Sequence, residues 1–229
     1  MQLLRTFITF LCFVLFSFIN FLVFLIDPSR RLLTKLLHFE GKLGSFILGL
    51  KMQLIRDDFS PFIKKNKNYL FVSNHQSMLD IALIYRFCPV PLSFIAKREL
   101  FFVPFLNLML LSTGAIPINR NNIKKAWFDI KHALNVLKKS RSILIFPEGT
   151  RTTDGKIHQF KSGFLRLAKD ADVEIVPIKI EGTFSALKKG SFVVKNSSLL
   201  KISFGAPLSV NKLSDKNPAE EIKNIVSSL

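Results

Sequence analysis

The sequence has few of the residues that build metal centres or covalent cross-links. Only two of the 229 residues are cysteines, Cys12 and Cys88, and two cysteines cannot form a disulfide framework. The histidines His38, His132 and His158 are isolated from the cysteines and from one another, so the spacing of a zinc site is missing. The motif Gly-x-Ser-x-Gly is also absent, which removes the support for a hydrolase-type serine nucleophile. These absences favour a reducing compartment and an active site without metal.

Carboxylates are scarce as well. The sequence has 16 Asp and Glu residues against 33 Lys and Arg residues, which gives a formal net charge of +17. Such a balance favours polyanionic partners, namely nucleic acid, anionic lipid headgroups or acidic proteins. One tryptophan and two tyrosines do not make the aromatic stacking pattern of a nucleic-acid groove, and the 24 phenylalanines lie mainly in apolar runs. The composition therefore favours lipid and predicts no nucleic-acid partner.

Residues 6–26 carry no charged side chain. About 20 apolar residues suffice to cross a bilayer as a helix. A signal peptide is disfavoured, because the run is too long and no small-x-small cleavage site follows it. One cation precedes the run and several follow it: Arg5 before, and Arg30, Arg31, Lys35 and Lys42 after. The positive-inside rule then predicts that the rest of the chain lies on the cytoplasmic side of the membrane.

Residues 32–55 form a second, less apolar stretch. Its spacing of leucines suits a helix that lies in the membrane interface, with lysines at headgroup level. We therefore predict a membrane-anchoring segment at 1–56 and a catalytic domain at 57–229.

From residue 57 onward, short apolar runs alternate with helical patterns. The predicted strands are 69–72, 93–96, 115–118, 142–146, 174–180 and 200–204, and the predicted helices are 78–87, 101–111, 123–139, 163–169 and 219–226. Such alternation predicts an α/β fold, with a mixed, mainly parallel sheet flanked by helices.

A polar cluster containing Asn74 and His75 follows the first of these strands, and Asp80 comes five residues after the histidine. Histidine exchanges protons near neutral pH, and a carboxylate bonded to one ring nitrogen leaves the other nitrogen free as a base. A structural core histidine is the alternative for His75. For Asp80 the alternative is a helix capping box with Ser77, and the two roles are compatible.

A second polar block, Phe146-Pro147-Glu148-Gly149-Thr150-Arg151, follows the strand at 142–146. Proline ends a strand, and glycine permits a tight turn. The guanidinium of Arg151 matches a phosphate bidentately, and Glu148 could accept from a hydroxyl group. The alternative is an internal ion pair between these two residues.

Both blocks together resemble the hallmarks of the glycerolipid acyltransferases. Milder similarities are Gly114 to Arg120 and Val176-Pro177-Ile178, and they extend the resemblance over residues 69–180. Within the family, the blocks are most similar to those of bacterial 1-acylglycerol-3-phosphate acyltransferases. The resemblance implies direct acyl transfer without a cofactor, from acyl carrier protein or coenzyme A to lysophosphatidic acid. It also implies that two N-terminal helices dip into one leaflet together, although a single full span remains open.

The candidate site follows from the motifs and the resemblance. We predict His75 as the base and Asp80 as the residue that orients it. Substrate-binding candidates are Arg120, Glu148, Gly149, Thr150 and Arg151, with Lys97 and Lys161 as further candidates. Lysines 188 and 189 are interpreted as a solvated loop.

Two other functions remain open. One keeps the chemistry and changes the acceptor to another lysolipid or to glycerol 3-phosphate. The other is a membrane-anchored basic binding protein. The leading hypothesis is an O-acyltransferase of phospholipid biosynthesis at the cytoplasmic face of a bacterial inner membrane.

Overall fold

The computed structural model describes residues 1–27, 29–64, 67–119, 123–139, 141–191, 193–195 and 199–229. Its strands are β1 (Lys51–Asp57), β2 (Leu70–Ser73), β3 (Leu92–Lys97), β4 (Ile116–Ile118), β5 (Ser142–Ile145), β6 (Ile175–Glu181) and β7 (Leu199–Phe204). Its helices are α1 (Gln2–Ile26), α2 (Arg31–Leu48), α3 (Leu79–Phe87), α4 (Leu106–Thr113), α5 (Ile123–Lys139), α6 (Gly163–Ala171), α7 (Thr183–Ala186) and α8 (Pro218–Ser228). The six strands predicted from the sequence each correspond to one of these, within one or two residues.

The strands form one sheet in the order β1-β7-β6-β2-β5-β3-β4. Strands β6 and β7 are antiparallel, whereas the other described pairs are parallel. The predicted α/β fold with a mixed, mainly parallel sheet is therefore confirmed. Because β6, β2, β5, β3 and β4 run in the same direction, their carboxyl ends share one edge, which we call the carboxyl edge. Open α/β sheets collect ligands at this edge.

Strand β2 lies at the centre of the sheet and is buried on both faces. Phe71 packs in the apolar cluster on one face, beside Leu83 of α3. Leu70 and Val72 pack in the cluster on the other face, beside Phe164 of α6. Burial on both faces explains why a central parallel strand is a continuous apolar run. The buried strand therefore holds the beginning of the following loop in a fixed position.

The helix predicted over residues 32–55 is wrong beyond Leu48. Gly49 takes a left-handed conformation with φ of 70°, which ends α2. Residues 51–57 then form β1, which pairs with β7. Their burial alternates along the strand, with Met52 and Leu54 partly covered. Strand β1 thus belongs to the sheet, although the sequence analysis assigned residues up to 56 to the anchoring segment.

Helix α1 leaves most of its apolar surface uncovered. Its buried residues are Ser17 and Asn20, whereas Phe7, Leu15 and Leu22 are more than half exposed. Among the described residues, it is the one helix long and apolar enough to cross a membrane. Helix α2 differs, because Leu33 and Leu37 are buried in the core. The two helices pack against each other, and α1 also packs against α4.

The helix predicted over residues 101–111 is interrupted. A 3₁₀ turn occupies Arg98–Phe102, and α4 begins only at Leu106. Between them, Phe105 has a φ of +64°, which is rare for a bulky residue. Pro104 lacks the N–H that a continuous helix requires.

Candidate active site

The loop between β2 and α3 carries His75 at the carboxyl edge. Its Nδ1 lies 2.8 Å from Oδ2 of Asp80, in the first turn of α3. The imidazole is 19% exposed and the carboxylate 0%. Since a carboxylate only accepts, Nδ1–H donates to Asp80 and Nε2 is left as the acceptor. The structure thus brings together the histidine and the aspartate that the sequence analysis paired.

Asp80 has more partners than the histidine. Its Oδ2 also accepts from the backbone N–H groups of Gln76 at 2.7 Å and Ser77 at 2.9 Å. The second oxygen, Oδ1, accepts from the hydroxyl of Thr183 in α7 at 2.5 Å. The carboxylate therefore holds both the imidazole and the backbone N–H groups that precede α3, whereas the N-cap of α3 is Met78 and makes no side-chain cap bond. Thr183 was not predicted as a site residue. It lies 103 residues from Asp80 in the chain, and no sequence pattern indicates a contact over that separation.

Glu148 joins two backbone segments. Its Oε1 accepts from the backbone N–H of His75 at 2.7 Å, and its Oε2 accepts from that of His158 at 3.0 Å. The side chain is 8% exposed, and this burial raises the pKa of Glu148 above its usual 4.5. Both oxygens are thus engaged with the main chain, so the ion-pair alternative with Arg151 is not the arrangement found. Thr152 completes the attachment by donating its N–H to the carbonyl of His75 at 2.9 Å.

An aromatic ring covers the imidazole. The ring of Phe146, which directly follows β5, stacks on His75 with a centroid distance of 3.9 Å and an interplanar angle of 14°. Phe146 belongs to the second block, but the sequence predicted no role for its ring. The sequence indicates only that Phe146 follows β5, an apolar strand, and this position does not specify how its ring is oriented.

Asn74 ties the loop to β6. Its side-chain nitrogen donates to the carbonyl of Ile180 at 2.8 Å, and its side-chain oxygen accepts from the N–H of the same residue at 2.8 Å. The amide thus pairs with β6 as a further residue of β2 would. These two hydrogen bonds fix the start of the loop and hence the position of His75.

Basic side chains gather over the second block. A Cβ on Gly149, where φ is +76°, would lie 3.1 Å from Nζ of Lys161, so this lysine lies directly beside the turn. Lys189 donates from Nζ to the hydroxyl of Thr150 at 3.1 Å. Lys189 therefore lies at the border of the candidate site, although the sequence predicted only a solvated loop there. Within the part of the chain that the structure describes, the guanidinium of Arg151 has no hydrogen-bond or ion-pair partner.

One predicted site residue lies apart from this cluster, and another cannot be placed. Lys97 ends β3 at the carboxyl edge, but β5 separates its strand from β2, and its ammonium group pairs with Glu99 at 3.4 Å. Arg120 lies outside the described residues. The cluster therefore consists of a positioned imidazole, a buried carboxylate behind it and cations beside it. Such a set can remove a proton from a hydroxyl group and hold an anion nearby.

Comparison with known proteins agrees with this chemistry. A sequence model of the family described as Acyltransferase matches residues 55–181, a range that contains His75, Asp80 and the second block. A 1-acyl-sn-glycerol-3-phosphate acyltransferase of Limnanthes douglasii is 32% identical over 159 residues, which are 69% of this chain and 55% of that protein. One of Borreliella burgdorferi is 32% identical over 170 residues, which are 74% of this chain and 62% of that protein. This chain spans about half the length of the plant relatives that it matches.

A solved structure has the same fold. The crystal structure of the 1-acyl-sn-glycerophosphate (LPA) acyltransferase PlsC from Thermotoga maritima superimposes with a TM-score of 0.84. The match covers 99% of this chain and 93% of that protein, at 24% sequence identity. The likeness extends over the N-terminal helices as well as the sheet.

Proposed function

Because this chain belongs to the Acyltransferase family, we propose that it moves a fatty acyl group from an acyl thioester to the free hydroxyl of 1-acyl-sn-glycerol 3-phosphate, giving phosphatidic acid. The observation that carries the proposal is the bond between His75 Nδ1 and the buried Asp80. It leaves Nε2 as a base at the carboxyl edge. The names of the relatives from Limnanthes douglasii and Borreliella burgdorferi support this acceptor.

In the proposed reaction, Nε2 of His75 takes the proton of the acceptor hydroxyl as its oxygen attacks the thioester carbonyl. A bond forms between this oxygen and the carbonyl carbon, and the bond between that carbon and sulfur breaks. The imidazolium then returns the proton to the leaving thiolate, so that the enzyme ends as it began. Asp80 stabilises the transient imidazolium and fixes the ring. General-base catalysis of this kind contributes about 10²–10⁴ in rate.

The acceptor phosphate requires cations near the base. We assign it to Arg151, whose planar fork matches phosphate geometry, and to Lys161 beside Gly149. Gly149 and Thr150 shape the turn between them, and Glu148 acts through the main chain of His75. Arg120 remains a proposed second arginine on its sequence position alone, and Lys97 a proposed peripheral cation.

The membrane provides the acceptor in this proposal. Helix α1 has the length and composition of a membrane segment, and the cations that follow it favour a cytoplasmic catalytic domain, at the inner membrane of a bacterium. The proposed acyl donor is a thioester of acyl carrier protein or of coenzyme A. Helix α2 joins α1 in the anchor at its exposed Phe39 and Phe46.

The central experiment is mass spectrometry of lipids formed by the purified full chain from lysophosphatidic acid and an acyl thioester. His75→Ala should lower phosphatidic acid formation by at least about 10²-fold. His132→Ala is the matched control, because His132 is exposed on α5, and it should leave the rate unchanged. A folded His75→Ala protein with near-normal turnover would refute the proposed mechanism.

A second experiment separates acceptor from donor. Losing a hydrogen bond to a charged group costs about 1.5–3 kcal/mol, so Arg151→Ala should raise the acceptor KM about 10-fold or more. Arg151→Lys should recover only part of the loss. Arg166→Ala on α6, whose side chain is 78% exposed, is the control. An unchanged acceptor KM together with a raised donor KM would reassign Arg151 to the donor's phosphates.

A panel of acceptors and donors tests which lysolipid and which acyl thioester the chain uses. Glycerol 3-phosphate and lysolipids without a phosphate monoester should be poorer acceptors than lysophosphatidic acid. Acyl carrier protein and coenzyme A thioesters are compared at matched chain length. Preference for another lysolipid would change the acceptor and leave the chemistry at His75 in place.

A further inference from the structure

An apolar rim protrudes at the carboxyl edge, outside the catalytic cluster and outside the N-terminal helices. It consists of Leu100, Phe102 and Val103, in and just after the 3₁₀ turn Arg98–Phe102. Their exposed fractions are 39%, 80% and 44%. Exposed apolar groups that form a contiguous patch mark an interaction surface more often than isolated ones do.

The backbone bends sharply just after the rim. Phe105 holds a φ of +64°, and such strain persists only where surrounding contacts enforce it. The enforcing contact is visible, since the ring of Phe105 packs edge-on against Phe18 of α1, with a centroid distance of 5.8 Å. The bend therefore turns Phe105 toward α1 and leaves Phe102 on the outer surface.

The rim lies close to α1 in the chain's path, because Phe105, two residues after Val103, contacts Phe18. Helices α1 and α4 pack along each other, and Phe18 itself is 49% exposed beside the bend. The sequence from residue 97 to 113 has three charged residues, Lys97, Arg98 and Glu99, all at its start. Lys97 pairs with Glu99, so two cations stand against one carboxylate at the base of the rim. An excess of positive charge beside exposed apolar side chains favours an anionic lipid surface.

We propose that this rim is a second membrane-contact element, which inserts Phe102 and Val103 into the interface of an anionic bilayer beside α1. Lys97 and Arg98 then lie at the level of the lipid phosphates. The contact does not depend on the proposed reaction, because it concerns how the domain rests on lipid.

The proposed contact also brings lipid near the proposed base. The rim follows β3, and one strand, β5, separates β3 from β2. Neighbouring strands lie about 4.8 Å apart, so the carboxyl ends of β2 and β3 are roughly 10 Å apart along the sheet, and the rim follows the end of β3. A bilayer touched by the rim therefore lies beside the carboxyl edge. An acceptor could reach the base with its acyl chain still in the membrane.

Depth-dependent fluorescence quenching tests the contact in the full chain. Phe102→Trp is placed in a Trp127→Phe background, and the protein is inserted into phosphatidylglycerol and phosphatidylcholine vesicles whose acyl chains carry bromine. The matched control is Phe62→Trp, because Phe62 is also exposed, at 49%, and its carbonyl bonds to Tyr69 before β2 begins, away from the carboxyl edge. Since an interfacial apolar group sits about 5–10 Å into the headgroup and acyl boundary, quenching at position 102 should exceed that at 62 by about twofold or more.

Equal, weak quenching at both positions in vesicle-bound protein would overturn the proposal. So would cross-linking between copies through Val103→Cys, which would make the rim a protein contact. If Trp127→Phe lowers the folded yield, the same measurement uses a dye on Val103→Cys in a Cys12→Ser background. Cys88 is 1% exposed and is not labelled in that protein.

Discussion

The ring of Phe146 lies nearly parallel to the imidazole of His75, with 3.9 Å between their centroids. An aromatic pair contributes about 0.5–1.5 kcal/mol beyond its buried area, and here that energy restrains the ring of the proposed base. Phe146→Leu should therefore lower kcat roughly 2–10-fold while both KM values stay near normal.

Two variants control this prediction. Phe146→Tyr keeps the stacked ring and should keep most of the rate. Phe94→Leu removes a buried ring on β3, paired with Tyr85, and should affect stability without the same loss of kcat. A normal kcat for folded Phe146→Leu would show that Asp80 alone suffices to hold the imidazole.

Thr183 is expected to position the catalytic pair from a distance in the chain. Thr183→Val removes the hydroxyl that donates to Oδ1 of Asp80 and leaves a buried carboxylate oxygen without that donor, at a cost of about 1–3 kcal/mol. Thermal unfolding should detect this loss, and kcat should fall with little change in either KM. Thr183→Ser keeps the hydroxyl and should restore kcat; failure of this rescue would assign Thr183 a packing role only.

Glu148 should make stability depend on pH. Burial raises the pKa of its carboxyl group above 4.5, so the folded protein keeps this proton to a higher pH than the unfolded chain does. Between the usual pKa of 4.5 and the raised pKa of the folded state, the unfolded state binds fewer protons than the folded state does. The stability of the folded state therefore declines as pH rises through this range. Glu148→Gln cannot titrate. The free energy of unfolding of wild type minus that of the variant should therefore decrease as pH rises from about 4.5, as measured by urea titration. A difference that stays flat or increases would contradict the direction of the pKa shift.

Removing α1 should release the chain from membranes at a modest cost in stability. Its buried residues are only Ser17 and Asn20, so deletion of residues 2–26 removes few side chains from the core. Deletion of residues 1–56 is different, because it also removes Leu33 and Leu37 from the core and nearly all of β1 from the sheet. We propose that the anchor ends between α2 and β1. Sedimentation after a high-salt wash and thermal unfolding of both truncations test this, and a shorter truncation that stays membrane-bound would assign the main contact to α2 or to the rim.

Local patterns made the central sheet predictable. The run Leu70, Phe71 and Val72 is apolar because both faces of β2 are covered, and a break in such a run is visible in the sequence. His75 and Asp80 were predictable as a pair because they are five residues apart in the sequence. In the first case the apolar pattern is local although its partners are distant, and in the second case the two partners are themselves close along the chain.

The parts that escaped prediction depend on distant contacts. Strand β1 is stabilised by β7, and nothing before residue 57 indicates that pairing. Phe105 adopts its bend because Phe18 packs on it, so local propensity favoured an unbroken helix instead. Lys189 reaches Thr150 across 39 residues, and a lysine in a loop looks the same in sequence whether it faces water or a site.

The order in which the site's parts occur along the chain has a consequence for biosynthesis. Asp80 and its donor Thr183 are 103 residues apart, and Glu148 lies between them. At roughly 5–20 residues per second, a ribosome needs about 5–20 s to pass from one to the other. During that interval the histidine and the aspartate already exist in the nascent chain, but the carboxylate lacks the hydroxyl that satisfies it. The growing polypeptide therefore cannot complete the hydrogen bonds around the proposed catalytic pair until α7 has been synthesised.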